Sequence, residues 1–177
     1  SPLSFFMRIY FYIDGFNLYY GIRLRGTKIA DAKNPEKLHP TLTGKYKWLD
    51  IQKLAESLRA SDDVVKVKYF TAKIRNDVRA LDRQQRYLDA LSSLPKVEII
   101  YGRFLESHPT MCCHPLTEPP TTVKVVKREE KGSDVNLCSH LIIDGMNDEY
   151  EAAAVISNDT DFCFPISYVK NQLKKPV

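Results

Sequence analysis

The residues best suited to chemistry are carboxylates that stand where buried strands end. Asp14-Gly15-Phe16-Asn17 follows directly on the apolar run Ile9-Tyr10-Phe11-Tyr12-Ile13, and Ser157-Asn158-Asp159-Thr160-Asp161-Phe162 follows on Ala152-Ala153-Ala154-Val155-Ile156. Carboxylates crowded together without compensation repel one another, and a hard divalent cation is their natural partner. The chemistry such a group supports is that of a bound Lewis acid, which activates water and stabilises developing negative charge.

The elements that must position these acids can be read from hydrophobic pattern. A continuous apolar run of about five residues is the signature of a strand buried on both faces, as in a parallel sheet covered by helices. In such sheets ligands bind outside the carboxyl ends of the strands. Strands are expected over Arg8 to Ile13, Val64 to Ile74, Val97 to Phe104 and Ala152 to Ile156, with a short β piece over Thr122 to Val126.

Between them, Phe16 to Leu24 reads as a short helical turn, and Gly26 to Tyr46 as a polar surface insertion. Asp50 caps a helix with Leu54, Ala55 and Leu58 on one face. Asn76 or Asp77 opens a longer helix with Val78, Leu81, Tyr87, Leu88 and Leu91 at helical spacing, stopped before Pro95. Ser133 reads as the N-cap of a helix running to about Gly145, and a last helix spans about Phe162 to Leu173. Strands alternating with helices predict an α/β fold with a mainly parallel central sheet and right-handed crossovers.

That frame adds a third carboxylate. In an α/β unit a helix runs antiparallel to its strands, so the start of the helix in Lys131-Gly132-Ser133-Asp134-Val135 lies at the edge where the strands end. Asp134 therefore joins Asp14 and Asp159. Asp144, ten residues on, lies about 15 Å down the helix axis at the wrong end and is excluded. Asp161 opens the last helix, where it could ligate a metal, hold a metal-bound water or cap the helix. Asn17 can offer an amide oxygen or NH₂ donor, and Ser157 can orient a carboxylate by hydrogen bonding. Each motif has an ordinary reading, an Asx-capped turn or a helix N-cap; their convergence on one edge favours function.

The strand-D-G-x-N start, the K-G-S-D-V helix opening and the V-I-S-N-D-T-D-F ending resemble the NYN domain, a LabA-like branch of the PIN-like nucleases. The resemblance covers nearly the whole chain, in the expected order and spacing. It implies a single domain over 1–177, a Rossmann-like three-layer α/β/α sandwich, and a Mg²⁺- or Mn²⁺-dependent endoribonuclease acting on single-stranded RNA. Carried over by position, Asp14, Asp134 and Asp159 form the acidic core, Asp161 is an additional acid and Asn17 a supporting polar group. The family pattern carries a second Asp six residues after the helix-opening one. Here that place is His140, which argues against a second tightly held metal. The alternatives are a weakly active or inactive RNA-binding module on the same fold, or another metal-dependent phosphoesterase such as a DNA nuclease.

An acidic pocket repels RNA, so a basic rim is needed; Lys131 is the best candidate, with Lys127 and Arg128 extending it. Phe16, Tyr19 and Tyr20 could stack bases, but core packing is the stronger expectation for most of them. His108, Cys112, Cys113 and His114 invite a zinc reading, which the poor ligand spacing disfavours against a mobile loop. Cys138 and Cys163 are expected to be small core residues.

The bulk properties agree with a globular domain: 177 residues, 44% hydrophobic, 27% charged and a net charge of +4. No apolar run is long enough for a membrane span, and the start has no signal-peptide pattern. Four cysteines without a disulfide frame favour a reducing cytoplasm. The chain stops at Lys175-Pro176-Val177, where a further strand is expected to begin, so a longer protein is anticipated. Oligomeric state is left open, a homodimer included.

Overall fold

The computed structural model describes residues 6–25, 46, 48–74 and 77–177. Most of the insertion expected over 26–46 lies outside the described residues, as does Asn76. The elements in chain order are β1 (Arg8–Asp14), α1 (Gly15–Arg25), α2 (Ile51–Leu58), β2 (Asp63–Thr71), α3 (Val78–Ser92), β3 (Val97–Tyr101), β4 (Arg103–Ser107), β5 (Thr110–Cys112), β6 (Thr122–Lys124), β7 (Lys127–Lys131), α4 (Ser133–Met146), β8 (Ala152–Ile156) and α5 (Cys163–Asn171), the last preceded by a 3₁₀ turn at Thr160–Phe162.

Four strands form one parallel sheet in the order β3-β2-β1-β8. As the uninterrupted apolar run requires, Ile9 to Asp14 are all buried. One face is covered by Leu18 of α1, Ile51 and Ala55 of α2, and Leu88 and Leu91 of α3. The other is covered by Leu137 and Leu141 of α4, Ile166 and Val169 of α5, and Phe162. The fold is an α/β sheet flanked by helices, the PIN-like arrangement expected from sequence.

Chain order fixes where a ligand belongs. From β1 the chain steps to β2 and then β3 in one direction, whereas β8 lies on the opposite side of β1. The crevice between the carboxyl ends of β1 and β8 is thus the topological switch point, the usual ligand site of an open α/β sheet. Ile13 pairs with Ile156, so Asp14 and Ser157 leave the sheet side by side.

Several local expectations are corrected. The strand expected over Val97 to Phe104 divides at Gly102: β3 stays in the main sheet, while β4 pairs antiparallel with β7, Arg103 opposite Lys131. The stretch from His108 to Thr122 includes β5, which pairs with β6 in a small hairpin. Strand β2 stops at Thr71, three residues before the predicted end at Ile74, and α1 is a full helix of 11 residues.

Asp50 caps α2 by accepting from the Lys53 N–H at 2.9 Å, yet Leu58 is 58% exposed because the helix ends at that residue, past the core contact. Asp77 caps α3 through the Ala80 N–H at 2.9 Å. Val78 and Leu81 are exposed although they keep helical spacing with Leu88 and Leu91, which alone of these four are buried in the core.

Across the α4 face runs a polar cluster within the apolar layer. Lys68 Nζ donates to Asp144 Oδ2 at 2.6 Å, Tyr12 donates its hydroxyl to the same oxygen at 2.7 Å, and Lys68 Nζ lies 3.0 Å from His140 Nδ1. An ammonium can only donate, so Nδ1 accepts in this contact. Burial, and then the bond to and charge of Asp144, push the Tyr12 phenol far above its usual range. Asp144 has a structural occupation, in keeping with its exclusion from the acidic site.

Candidate metal centre and nucleic-acid site

Asp14 is 4% exposed at the last position of β1 and is held from several directions. Its Oδ1 accepts from the backbone N–H of Phe16 at 3.1 Å and of Asn17 at 3.0 Å, so it caps α1. Its Oδ2 accepts from Ser157 Oγ at 3.1 Å and from the Asn17 amide. Gly15 is required by a close approach: a Cβ there would stand 2.6 Å from the Tyr69 ring and 2.8 Å from the Phe70 carbonyl oxygen. The D-G-x-N motif thus locks one carboxylate at the strand end through its own turn and through the neighbouring strand.

The second motif is laid out by the same logic. The Ser157 hydroxyl that donates to Asp14 accepts from the Asp159 N–H at 3.1 Å, and Asp159 Oδ1 accepts from the Asp161 N–H at 2.9 Å. Asp159 is therefore the capping residue of the turn, and Asp161 leaves its own carboxylate exposed.

On the opposite side, α4 begins after Gly132, whose φ of 97° is a left-handed conformation that favours glycine. Ser133 is not the N-cap, correcting the sequence expectation. It is the buried first residue of the helix, and its N–H and hydroxyl both donate to Glu130 Oε1, at 3.1 and 2.7 Å. The reason is steric and local: the left-handed glycine takes the cap position and the preceding strand supplies a carboxylate.

These pieces bring Asp134 into the field of the other acids. Its carboxyl is pushed above the ordinary carboxylate range, first by partial burial of the group and then by the charges of Asp14, Glu130, Asp159 and Asp161. Among the described residues none of these five acids has an ion-pair partner. Glu130 was not anticipated. The signal was strand alternation: Lys127, Glu129 and Lys131 share one face of β7, and Glu130 points to the other, toward α4.

The donor set suits a hard divalent ion: carboxylate oxygens, net negative and without ammonium or guanidinium compensation. Among the described residues, no three Asp, Glu, His or Cys side chains are arranged to grip one ion together. An ion at this edge would therefore be held directly by no more than two carboxylates, with water completing its shell, as Mg²⁺ commonly is. His140 is turned to Lys68 and adds no ligand to this group.

The expected basic rim is largely self-paired. Lys127 Nζ and Lys131 Nζ lie 2.9 and 3.7 Å from Glu129, and Arg128 Nε lies 2.9 Å from Glu106. Core packing is overturned for Tyr19 and Tyr20, which are 54% and 52% exposed, while half-buried Phe16 packs edge-on against Phe104 at 6.0 Å. Cys138 packs at the margin of the core as expected; Cys163 is exposed because it falls on the outer side of the first turn of α5. Cys112, in the exposed β5, and Cys113 are free thiols.

A raised carboxyl carries a stability consequence. A group whose folded pKa lies above its unfolded value destabilises the fold once ionised, so stability should fall as pH rises through the carboxylate range. Asp134→Asn is expected to melt higher than the parent at pH 7. The difference should vanish below about pH 4, where the unfolded carboxyl is protonated too. Thermal melts across that range in EDTA check this; a parent more stable than the variant at pH 7 would contradict it.

A parallel sheet flanked by helices is the PIN-like α/β arrangement, and comparison with known proteins agrees on this fold. The NYN domain profile matches residues 8–177, so the chain belongs to the NYN domain family, a nuclease-type family. A curated relative, the 6-hydroxy-3-succinoylpyridine 3-monooxygenase HspA of Pseudomonas putida (strain DSM 28022 / S16), is 29% identical over 192 residues, covering 93% of this chain. The chain spans 56% of that relative's length. No solved structure matches. Among the described residues, no helix is long and apolar enough to cross a membrane.

Proposed function

We propose that this chain is a Mg²⁺- or Mn²⁺-dependent endoribonuclease that hydrolyses phosphodiester bonds of single-stranded RNA. The observation that carries this reading is the meeting of acids at the switch point: Asp14 ends β1 and accepts from Ser157, two residues before Asp159, at 3.1 Å, while Asp134 lies in the first turn of α4, and none of the three has an ion-pair partner among the described residues. Of Asp14, Asp134 and Asp159, one or two would hold the ion directly and the rest would act through its bound water. When bound, such an ion polarises a phosphate oxygen and acidifies a coordinated water.

The chain's own residues do the rest. Ser157 and Asn17 fix the orientation of the Asp14 carboxylate by donating to Oδ2. Asp161, whose carboxylate is exposed and not spent on the cap, would accept a hydrogen bond or a proton from the attacking water. Glu130 holds the start of α4, and through it Asp134, at the crevice. Lys131, Lys127 and Arg128 can reach RNA phosphate by exchanging their carboxylate partners, which gives surface pairs of low intrinsic strength a second use. A cytoplasmic setting suits the four free cysteines.

The relative's name gives a second reading a specific foothold, because it describes a reaction on a hydroxypyridine and this chain has a ring-lined cavity beside Asp14. A panel of labelled single-stranded RNA, single-stranded DNA and a phosphomonoester, each with Mg²⁺ or Mn²⁺, and an acylated hydroxypyridine supplied also with dioxygen and a two-electron reductant, separates the readings. Cleavage of RNA alone, absent in EDTA, is expected. RNA bound in a salt-sensitive way but never cut would favour a binding module, and turnover of the pyridine alone would favour the second reading.

A further inference from the structure

The acidic crevice explains how a phosphate is attacked, but not what holds the strand. Carboxylates repel RNA, and the cations of β7 are each engaged with Glu129 or Glu106. These cations reach phosphate only by giving up those partners, so a second surface has to add affinity.

A cavity of about 450 Å³ lies on the α1 and α3 side of the sheet. Its volume falls within the roughly 300–1,000 Å³ of small-molecule sites. Among the described residues its lining includes Phe16, Tyr19, Tyr20, Trp48, Tyr87 and Arg83. The wall is preformed. Tyr87 donates its hydroxyl to the Leu49 carbonyl at 2.8 Å, and the Gln84 side chain is clamped between the Ile74 N–H and the Ala72 carbonyl, both at 2.9 Å. Trp48 and Tyr87 meet edge-on at 6.1 Å, as do Tyr69 and Tyr87 at 6.4 Å.

Three features of this cavity go together. Three of its aromatics are uncommonly exposed, Trp48 at 60% and Tyr19 and Tyr20 above half, although such side chains ordinarily bury their faces. Arg83 is the cation in the lining and has no ion pair among the described residues. The cavity also borders the acidic site: Gly15 and Phe16 line it, and Phe16 donates its N–H to Asp14 Oδ1.

We infer that this cavity receives an unpaired nucleobase of the strand whose phosphate lies at the carboxylates, with Arg83 serving a flanking phosphate. This rests on the ribonuclease reading. Rings and an arginine beside an acidic cutting site meet the requirement of single-strand recognition, where unstacked bases lie on aromatic or guanidinium planes. Stacking supplies the affinity that a self-paired basic rim does not. The base also sets the register of the strand, so that one phosphate rather than any other reaches Asp14.

The chain has one tryptophan, and it lines the cavity, so its emission reports occupancy directly. The full chain in EDTA, where no cleavage occurs, is titrated with a short single-stranded RNA, the same strand with abasic residues, adenosine monophosphate and an acylated hydroxypyridine. The expected result is saturable change of Trp48 emission with RNA and with the mononucleotide. Abasic RNA should bind about tenfold more weakly, within the contribution of stacking one base. Tyr19→Ala/Tyr20→Ala and Arg83→Ala should each reduce the response, and the abasic arm on the parent protein decides the matter even where a variant fails to fold.

Equal binding of abasic and intact RNA would overturn the inference, as would RNA binding with Trp48 emission unmoved, or a response to the pyridine alone. The two readings fail differently. Base-dependent binding with no cleavage in Mn²⁺ leaves the cavity assignment standing and removes the ribonuclease. Cleavage indifferent to abasic positions does the reverse.

Discussion

Asp14→Asn should abolish metal-dependent cleavage of single-stranded RNA while leaving the fold in place. The substitution keeps an oxygen that can accept the Phe16 and Asn17 N–H groups, so the cap of α1 survives. It removes the charge and turns the second oxygen into a donor facing the Asn17 amide and Ser157. Asn17 can restore the bond by turning its amide, and Ser157 by accepting instead of donating. Loss of only an outer partner of a metal ligand typically costs 10–100-fold, so loss of a ligand should cost more than about a hundredfold. The measurement is initial cleavage rate of labelled RNA in Mn²⁺, with a thermal melt to confirm folding. A variant that cuts at the parent rate would remove Asp14 from the site.

The second large effect lies in stability. Lys68 and Asp144 have side chains only 7% and 11% exposed, and Asp144 also takes the Tyr12 hydroxyl. Lys68→Met leaves a carboxylate buried without its cation, which typically costs about 3–5 kcal/mol. Exchanging both partners, as Lys68→Met with Asp144→Leu, removes the charge altogether and should recover most of that loss, leaving the Tyr12 hydroxyl and His140 Nδ1 without these partners. Urea unfolding of the two variants beside the parent tests this. A single variant as stable as the parent would mean that the pair contributes nothing, and Tyr12 would then have to hold Asp144 unaided.

These two regions differ in how far the sequence announced them. Asp14, Asp134 and Asp159 were legible because each follows a strong local signal: two uninterrupted apolar strands and a helix start after Gly132. Parallel topology then places strand ends and helix starts at one edge with no knowledge of side-chain contacts. The Lys68–Asp144 pair had no such signal. Its partners are 76 residues apart, and a lysine in Val-Val-Lys-Val-Lys reads as an outward-facing residue until α4 is laid across it.

The remaining misses have the same origin. The run Val97 to Phe104 reads as one strand because pattern cannot show that Gly102 hands the chain from the main sheet to β7. Glu130 was hidden among basic neighbours whose charge drew attention to the opposite face of the strand. Tyr19 and Tyr20 were expected inside on residue type alone. Leu18 supplies the core contact of α1, and the tyrosines beside it wall the cavity.

The most direct test of the central claim is diffraction from Mn²⁺-soaked crystals, read for anomalous density at the end of β1. The account predicts a peak bounded by Asp14 and at least one of Asp134 and Asp159, and its disappearance in Asp14→Asn. Density elsewhere, or none beside Asp14 at saturating Mn²⁺, would contradict it.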